Sequence, residues 1–263
     1  MNKLNTQRVT FLNTYIDNLT ASEAKHAVEQ LLQTAGNHYV VTPNTDIVVK
    51  MQDDPQLKRI CDHADLILTD GMMLVKLSKY LGNPLKERVA MTDFVWDVFD
   101  LAMEKNHKIF LFGGKNNVLK KAAENIKKKL PELNIVGSYS PPFGFEKNPA
   151  QLEQANQRIK NSGADILIVF LGCPKQEKFI YENKDSYCVP LSITMGGCVD
   201  FLAGEVKRAP LWMQKAGLEW FFRFLQEPRR MYKRYFVDDI RIFKMALAQK
   251  KRTKRNDHYK GAI

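Results

Sequence analysis

The sequence has no apolar run approaching the roughly 18–20 residues that a membrane-spanning helix needs. Its first stretch, MNKLNTQRVTFLNTYIDN, is polar throughout and lacks the apolar segment of a signal peptide. The cysteines form no CxxC pair and are not joined by closely spaced histidines; they are Cys61, Cys173, Cys188 and Cys198. We therefore expect neither a membrane span nor a secretory leader, and free thiols in a cytoplasmic protein.

Three motifs that bind phosphates or metals are also missing. There is no GxGxxG fingerprint, which disfavours a hydride-transferring dinucleotide enzyme, and no GKS or GKT sequence of a P-loop. No D-x-D pair occurs, so a divalent cation on a nucleotide diphosphate would lack its usual ligands. The sequence therefore predicts no metal and no cofactor, and diphosphate charge would be met by arginine and backbone amides.

Negative charge is scarce at the C-terminal end of the chain. Residues 201–263 contain 16 Lys and Arg but only 6 Asp and Glu, a balance of +10. Residues 1–200 contain the other 24 basic and 23 acidic residues, a balance of +1. Aromatic residues alternate with the basic ones from position 209 onward, and residues 229–249 have the spacing of an amphipathic basic helix. This pattern predicts contact with a polyanionic partner, either a membrane surface or a nucleic acid.

Short β-rich runs alternate with helical stretches along the rest of the chain. The runs lie at 38–42, 65–69, 108–112, 134–138, 165–171 and 190–195. Continuous apolar runs of this length are typical of parallel strands buried on both faces, with helical crossovers between them. The fold class predicted is α/β, a Rossmann-like open sheet of about six parallel strands flanked by helices. A small hairpin at 8–19 and a helix at 22–34 precede it. We expect residues 1–208 to form the α/β domain and residues 209–263, here called the appendage, to form a basic helical unit.

Unusual polar residues follow several of the predicted strands. In an open parallel sheet, ligands bind beyond the carboxyl ends of the strands, so these residues would share one rim. They are Asn44, Asp70, Tyr139, Gln176 and Asp200. Gly113 and Gly114 precede a helix and would let backbone amides approach a phosphate, and Arg88 would neutralise a diphosphate. Each residue alone also has a structural interpretation: a helix cap for Asp70 or Asp200, an ordinary turn for the glycines, a surface ion pair for Arg88.

Taken together, these turns resemble the WecG/TagA/CpsF glycosyltransferase family of bacterial cell-wall and capsule synthesis. The matching stretches extend over about residues 8–236: VVTPNTDIVV, ADLILTDGMMLV, ERVAMTDFV, IFLFGG, GSYSPPFG, LGCPKQEKFI and MGGCVDFLAGEVKRAPLWMQKAGLEWFFRFLQEPRR. The resemblance implies an inverting, metal-independent transferase on the inner face of the cell membrane. It would move a sugar, typically N-acetylmannosamine, from a UDP-sugar to an undecaprenyl-diphosphate-linked acceptor such as GlcNAc.

The resemblance also implies roles for individual residues. Asp70 would be the general base, Thr42 and Asn44 would lie beside it, and Arg88 and Gln176 would contact polar groups of the substrates. The donor site would comprise Gly113, Gly114, Tyr139, Gly172, Gln176, Gly197 and Asp200, with Tyr139 and Asp200 on the uridine. The appendage would supply arginines to the acceptor diphosphate and the membrane, the candidates being Arg223, Arg229, Arg230 and Arg234.

Several alternatives stay open at the level of sequence. One alternative is a glycosyltransferase of the same family that uses another UDP-hexose, UDP-glucose or UDP-ManNAcA, as donor. Another is a nucleotide-sugar enzyme with a soluble acceptor, which would need no membrane. A nucleic-acid-binding protein would also explain the basic and aromatic appendage, although no DNA- or RNA-binding motif is present. The expected partners are a UDP-sugar, the lipid-linked acceptor and an anionic membrane surface, with a homo-oligomer left open and no nucleic acid.

Overall fold

The structure is a computed structural model that describes residues 4 and 6–260; at positions 215, 230 and 254–260 it describes the backbone only. The described strands are β1 (Arg8–Phe11), β2 (Thr14–Asp17), β3 (His38–Val41), β4 (Leu66–Ile67), β5 (Ile109–Gly113), β6 (Ile135–Tyr139), β7 (Ile166–Phe170) and β8 (Leu191–Thr194). The helices of the α/β part are α1 (Ala21–Gln33), α2 (Thr45–Asp53), α3 (Pro55–Asp62), α4 (Met72–Leu81), α5 (Met91–Glu104), α6 (Asn116–Lys129), α7 (Pro149–Asn161), α8 (Lys175–Tyr187) and α9 (Cys198–Leu202). Those of the appendage are α10 (Leu211–Ala216), α11 (Glu219–Gln226), α12 (Pro228–Lys233) and α13 (Arg241–Lys260).

The described strands β3 to β8 form one six-stranded sheet in the order β4-β3-β8-β7-β5-β6, and every pair is parallel. The strands β1 and β2 form the separate antiparallel hairpin. These observations confirm the Rossmann-like sheet and the N-terminal hairpin that the sequence predicts. The predicted first helix is also confirmed, because Thr20 and Glu23 form a capping box that starts α1.

Helices cover both faces of the sheet, which explains why its strands are continuously apolar. In β5, Ile109 and Leu111 pack in a first layer with α1, α5, α6 and α9. Phe110 and Phe112 pack in a second layer with α2, α3, α7 and α8. A strand buried on both faces has no polar alternation, and β5 has none.

The chain leaves neighbouring strands β8 and β3 toward opposite layers. After β3 it enters α2 in the second layer, and after β8 it enters α9 in the first. The strands β5 and β7 diverge in the same way, into α6 and α8. Divergence of this kind opens a crevice at the carboxyl ends of the strands, where open α/β sheets bind their ligands.

The prediction of a single helix over residues 229–249 is wrong in detail. Proline begins α12 at position 228, a π-helical turn follows over Arg234–Asp238, and α13 starts anew at Arg241. Met231 and Ile242 are buried on either side of the interruption, while Phe236 and Ile240 between them are exposed.

The appendage shares a hydrophobic cluster with the rest of the chain. Ile242 and Ala246 of α13 pack with Phe11 and Ile16 of the hairpin and with buried residues of α2 and α4. The side-chain amide of Gln249 also accepts a hydrogen bond from the backbone N–H of Leu12, at 2.9 Å. The appendage is therefore attached to the body by apolar packing as well as by polar contacts.

Candidate active site

Asp70 lies just beyond the edge strand β4, and its partly exposed side chain accepts a hydrogen bond from another part of the fold. The backbone N–H of Met91, the first residue of α5, donates to Asp70 Oδ1 at 3.1 Å. Asp70 does not cap the helix that follows it, because Gly71 occupies the N-cap position of α4 and makes no side-chain bond there. The carboxylate thus lies at the N-terminus of α5, where the helix dipole favours negative charge.

The pKa of Asp70 is raised from its ordinary value of 3.8 to about 6. Burial is the main cause, because it removes water from the ionised form. The Met91 N–H and the positive charges of Arg88 and Arg234 lower the pKa, and the negative charge of Glu219 raises it. A carboxylate with this pKa is mostly ionised at pH 7 and is a stronger proton acceptor than an exposed aspartate.

The TPN turn after β3 contacts the turn that carries Asp70. The backbone N–H of Asp70 donates to the carbonyl of Pro43 at 3.0 Å, and Asn44 lies against Gly71. Asn44 also caps α2 by accepting from the Ile47 N–H. Thr42 is buried and donates to the carbonyl of Thr194 in β8 at 2.8 Å. The structure therefore brings Asn44 beside Asp70, whereas the Thr42 hydroxyl fastens β3 to β8.

Gln176 is buried at the start of α8 and bonds within the protein. Its Oε1 accepts from the backbone N–H of Gly196 at 3.0 Å, and its Nε2 donates to Glu177 Oε1 at 2.9 Å. Burial raises the pKa of the Glu177 carboxyl, which the Gln176 amide partly offsets. Gln176 consequently fixes the turn after β8 relative to α8.

The glycines of the predicted donor site are placed at the crevice between β5, β7 and β8. Gly113 and Gly114 have φ values of +102° and +71°, and the Gly114 N–H is already bonded to the carbonyl of Phe170. Gly172 has a φ of +75° and open space where a Cβ would project. A Cβ on Gly197 would lie 3.1 Å from Nη2 of Arg223, so this glycine permits a close approach by the appendage.

Tyr139 and Asp200, both expected on the uridine, belong to opposite layers. Tyr139 packs with the second layer, where its hydroxyl donates to Gln154 at 3.3 Å and the Arg158 guanidinium lies 4.5 Å from its ring. It borders an open groove of about 410 Å³ between β6 and α7. Asp200 lies in α9, which packs in the first layer.

Arg88 is held by a carboxylate of the appendage. Its Nη1 donates to Glu219 Oε2 at 2.6 Å, and both side chains are largely shielded from water. Arg208 Nε lies 3.5 Å from the other oxygen of Glu219, and Arg208 also pairs with Asp93 in the first turn of α5. These four charges form one network over the start of α5.

The appendage arginines differ in position. Arg223 lies beside Gly197 with its guanidinium 5.2 Å from the ring of Phe201, and Arg234 is near enough to Asp70 to lower its pKa. Arg234 Nε is also 3.8 Å from Asp239, a buried carboxyl whose pKa burial raises to about 7. Arg229 is exposed. The side chain of Arg230 lies outside the described residues.

Sequence reasoning did not single out Glu219, Arg208 or Asp239. Glu219 lies in the stretch GLEWFFR, whose aromatic and basic residues predict a polyanionic partner. An acidic residue among aromatic and basic ones was the available signal, since a carboxylate there is suited to pair with an arginine.

Large apolar side chains are exposed mainly on the appendage. The exposed residues there are Leu211, Trp212, Trp220, Phe221, Leu225, Tyr232, Phe236, Val237, Ile240, Phe243 and Leu247. Elsewhere in the described chain only Tyr15, Tyr80 and Phe143 are comparable. No helix among residues 6–260 combines the length and hydrophobicity of a membrane span, and the described side chains contain no cluster of three or more metal-ligating residues.

A parallel α/β sheet with a carboxylate and arginines at its crevice is an arrangement suited to transfer from a diphosphate donor. The chain belongs to the WecG/TagA/CpsF family of glycosyl transferases, whose family model matches residues 9–256. It is thus a glycosyltransferase.

Three curated relatives carry the same name, N-acetylglucosaminyldiphosphoundecaprenol N-acetyl-beta-D-mannosaminyltransferase. The Bacillus spizizenii protein is 30% identical over 249 residues, which cover 95% of this chain and 93% of that protein. The Bacillus subtilis protein is 31% identical over 83% of this chain and 80% of its own length. The Staphylococcus aureus protein is 27% identical over 94% of this chain and 95% of its own length.

Proposed function

We propose that this protein transfers N-acetylmannosamine from UDP to the GlcNAc of an undecaprenyl-diphosphate-linked acceptor, in bacterial cell-wall synthesis. The names of the relatives support this choice of donor sugar and acceptor. The observation that carries the chemistry is Asp70, a carboxylate at the N-terminus of α5 with a pKa of about 6 and two arginines close by.

Asp70 acts as the general base of a single displacement. It takes the proton of the acceptor hydroxyl while that oxygen attacks the anomeric carbon. The bond from that carbon to the diphosphate breaks, and UDP leaves with the electron pair. One base and no covalent intermediate invert the anomeric configuration. The pKa of an alcohol is far above 7, so a base within hydrogen-bond reach is needed.

Arginine and backbone amides balance the diphosphate charge in this proposal. Arg88 and Arg234 lie near Asp70, and Arg223 lies beside the Gly197 turn. Guanidinium groups suit this role because they donate two parallel hydrogen bonds to phosphate oxygens. We assign no step to a divalent cation.

The appendage attaches the enzyme to the membrane surface that holds its acceptor. Its exposed tryptophan, phenylalanine and leucine side chains would enter the lipid interface, and its positive charge would attract anionic headgroups. Each Lys or Arg close to such a surface contributes about 1 kcal/mol. This surface supports a peripheral position on the inner face of the membrane.

The test is a panel of UDP-sugars incubated with undecaprenyl-diphosphate-linked GlcNAc, with and without EDTA. We expect product from UDP-N-acetylmannosamine, with a β-linkage by NMR and no loss of rate in EDTA. If product formed only from UDP-glucose or only from UDP-ManNAcA, that sugar nucleotide would be the donor and the proposal of UDP-N-acetylmannosamine would be wrong. An α-linked product would contradict inversion, and a rate abolished by EDTA would contradict metal independence.

Membrane attachment has its own measurement, co-sedimentation with anionic vesicles. We expect Trp212→Glu, at a side chain that is 65% exposed, to weaken vesicle binding without lowering the melting temperature. The matched control is Phe143→Glu, which removes an exposed aromatic ring outside the appendage. Equal binding by both variants would exclude this surface as the docking face. Binding of the wild type to oligonucleotides but not to vesicles would favour the nucleic-acid alternative.

A further inference from the structure

The first residue of α11 carries the contact between the appendage and Arg88. Glu219 Oε2 accepts from Arg88 Nη1 at 2.6 Å, and Glu219 Oε1 lies 3.5 Å from Arg208 Nε. Arg88 and Glu219 expose only 15% and 21% of their side chains. An ion pair shielded to this degree holds its geometry better than an exposed one.

The contact uses only part of the Arg88 guanidinium. Arginine has five N–H donors in a planar fork, and the bond to Glu219 occupies Nη1. The remaining donors are free to bind a diphosphate oxygen when the group is held in one orientation. A fixed guanidinium also loses less conformational entropy when a ligand binds.

The same helix presents part of the exposed apolar surface. Trp220 and Phe221 directly follow Glu219, and α11 has no buried residue of its own. Helix α11 contacts the body through Arg223 and through the polar side chains at its two ends. Gln226 at the last position exchanges two hydrogen bonds with the backbone of Lys207, and Glu219 at the first position binds Arg88.

We propose that Glu219 is a positioning residue that orients the Arg88 guanidinium beside Asp70 and makes the placement of α11 a condition for an ordered active site. The inference rests on the proposed function, in which Arg88 binds the diphosphate. It adds that the membrane-facing helix and the reacting centre are joined through one side chain. A shift of Trp220 and Phe221 at the lipid interface therefore reaches Arg88 through the adjacent residue.

The electrostatic surroundings of Asp70 provide a readout that simple destabilisation does not move. The groups that face this carboxylate are the Met91 N–H of α5, Arg88 before α5, Glu219 of α11, Arg234 of the π-helical turn and the Cys198 thiol of α9. The negative charge of Glu219 raises the pKa of Asp70 and the positive charge of Arg88 lowers it. Removing the Glu219 charge and removing the Arg88 charge should therefore move the acid limb of the pH–rate profile in opposite directions.

The experiment compares full-length wild type, Glu219→Gln, Glu219→Leu and Arg88→Gln in the lipid-linked assay. Glu205→Gln is the matched control, because it removes an exposed partner of Lys121 outside the network of Arg88, Glu219, Arg208 and Asp93. We expect kcat to fall at least ten-fold in Glu219→Leu and less in Glu219→Gln, which keeps an acceptor oxygen. The acid limb should move to lower pH in Glu219→Gln and to higher pH in Arg88→Gln. If Glu219→Gln matches Glu205→Gln in kcat and in pH profile, the inference is wrong.

A second measurement separates this inference from the proposed function. Hydrogen exchange over residues 218–226 should rise in Glu219→Gln and in Arg88→Gln, and the double variant should show no further increase. Additive increases would mean that the two residues do not act together, which overturns the inference whatever the activity. Absence of transfer by the wild type would instead contradict the proposed function, and the exchange data would still decide whether Glu219 holds Arg88.

Discussion

The backbone N–H of Met91 donates to Asp70 Oδ1 at 3.1 Å, which joins the end of edge strand β4 to the first residue of α5. The bond orients the carboxylate and leaves its second oxygen available to a substrate. It also favours the ionised form through the helix dipole, against the larger effect of burial. Asp70 is thereby fixed in position, and its pKa of about 6 leaves it mostly ionised at neutral pH.

Replacing Asp70 with Asn should reduce turnover by about 100- to 10,000-fold, the contribution of a general base. The amide keeps an acceptor for the Met91 N–H but does not take up a proton. UDP binding, measured by calorimetry, should change little. In the wild type the rate should fall as pH drops through about 6, since protonation removes the base. A variant that turns over at a near-normal rate would exclude Asp70 as the base.

The same substitution should stabilise the protein at neutral pH. The folded-state pKa of Asp70, about 6, exceeds its ordinary 3.8, so the folded protein binds the proton more tightly than the unfolded chain. Stability contributed by this group is therefore present below pH 4 and is lost as the pH rises through 6. The shift corresponds to roughly 3 kcal/mol at pH 7. We expect Asp70→Asn to melt at a higher temperature than wild type at pH 7.5, with a smaller difference at pH 4. Equal melting temperatures at pH 7.5 would show that the carboxylate is not desolvated.

The appendage arginines should separate into two groups. Arg223→Ala and Arg234→Ala should lower kcat more than ten-fold, because these side chains lie beside Gly197 and Asp70. Arg229→Ala should leave kcat with a detergent-solubilised acceptor nearly unchanged, because Arg229 is exposed. It should weaken vesicle binding about five-fold, the equivalent of roughly 1 kcal/mol. Equal effects of the three variants on kcat would contradict this division.

Gly113 should be intolerant of a side chain. Its φ of +102° disfavours any L residue, and a Cβ would lie 2.9 Å from the Phe170 carbonyl carbon and from Leu171 Cδ2. Gly163 is the matched control, with a φ of +61° and open space around the added Cβ. Gly113→Ala should lower the melting temperature by several degrees and Gly163→Ala by less, in parallel thermal scans. Similar losses would mean that the collision at Gly113 is relieved by a small shift.

The sheet was predictable because of how its strands are buried. Parallel strands covered on both faces must be apolar at successive positions, and β5 and β7 show this in their sequences IFLFG and ILIVF. The positions of Asp70 and Asn44 at neighbouring strand ends followed from the same rule.

The contacts that complete the site were not predictable. Asp70 bonds to a residue 21 positions away, and Arg88 bonds to one 131 positions away. No periodicity encodes such pairs, since they depend on how distant parts of the chain pack together. The inward placement of Gln176 was missed for a similar reason, because its partner Gly196 is on another strand end.

The cluster that joins Phe11 and Ile16 to Ile242 and Ala246 has a consequence for biosynthesis. Translation proceeds from the N-terminus, and domains generally fold as their chain emerges. The hairpin is synthesised well before α13, the helix that packs on it. The nascent enzyme therefore carries an apolar face that stays uncovered until α13 is made, and premature termination before α13 would yield a product prone to aggregation rather than a smaller active enzyme.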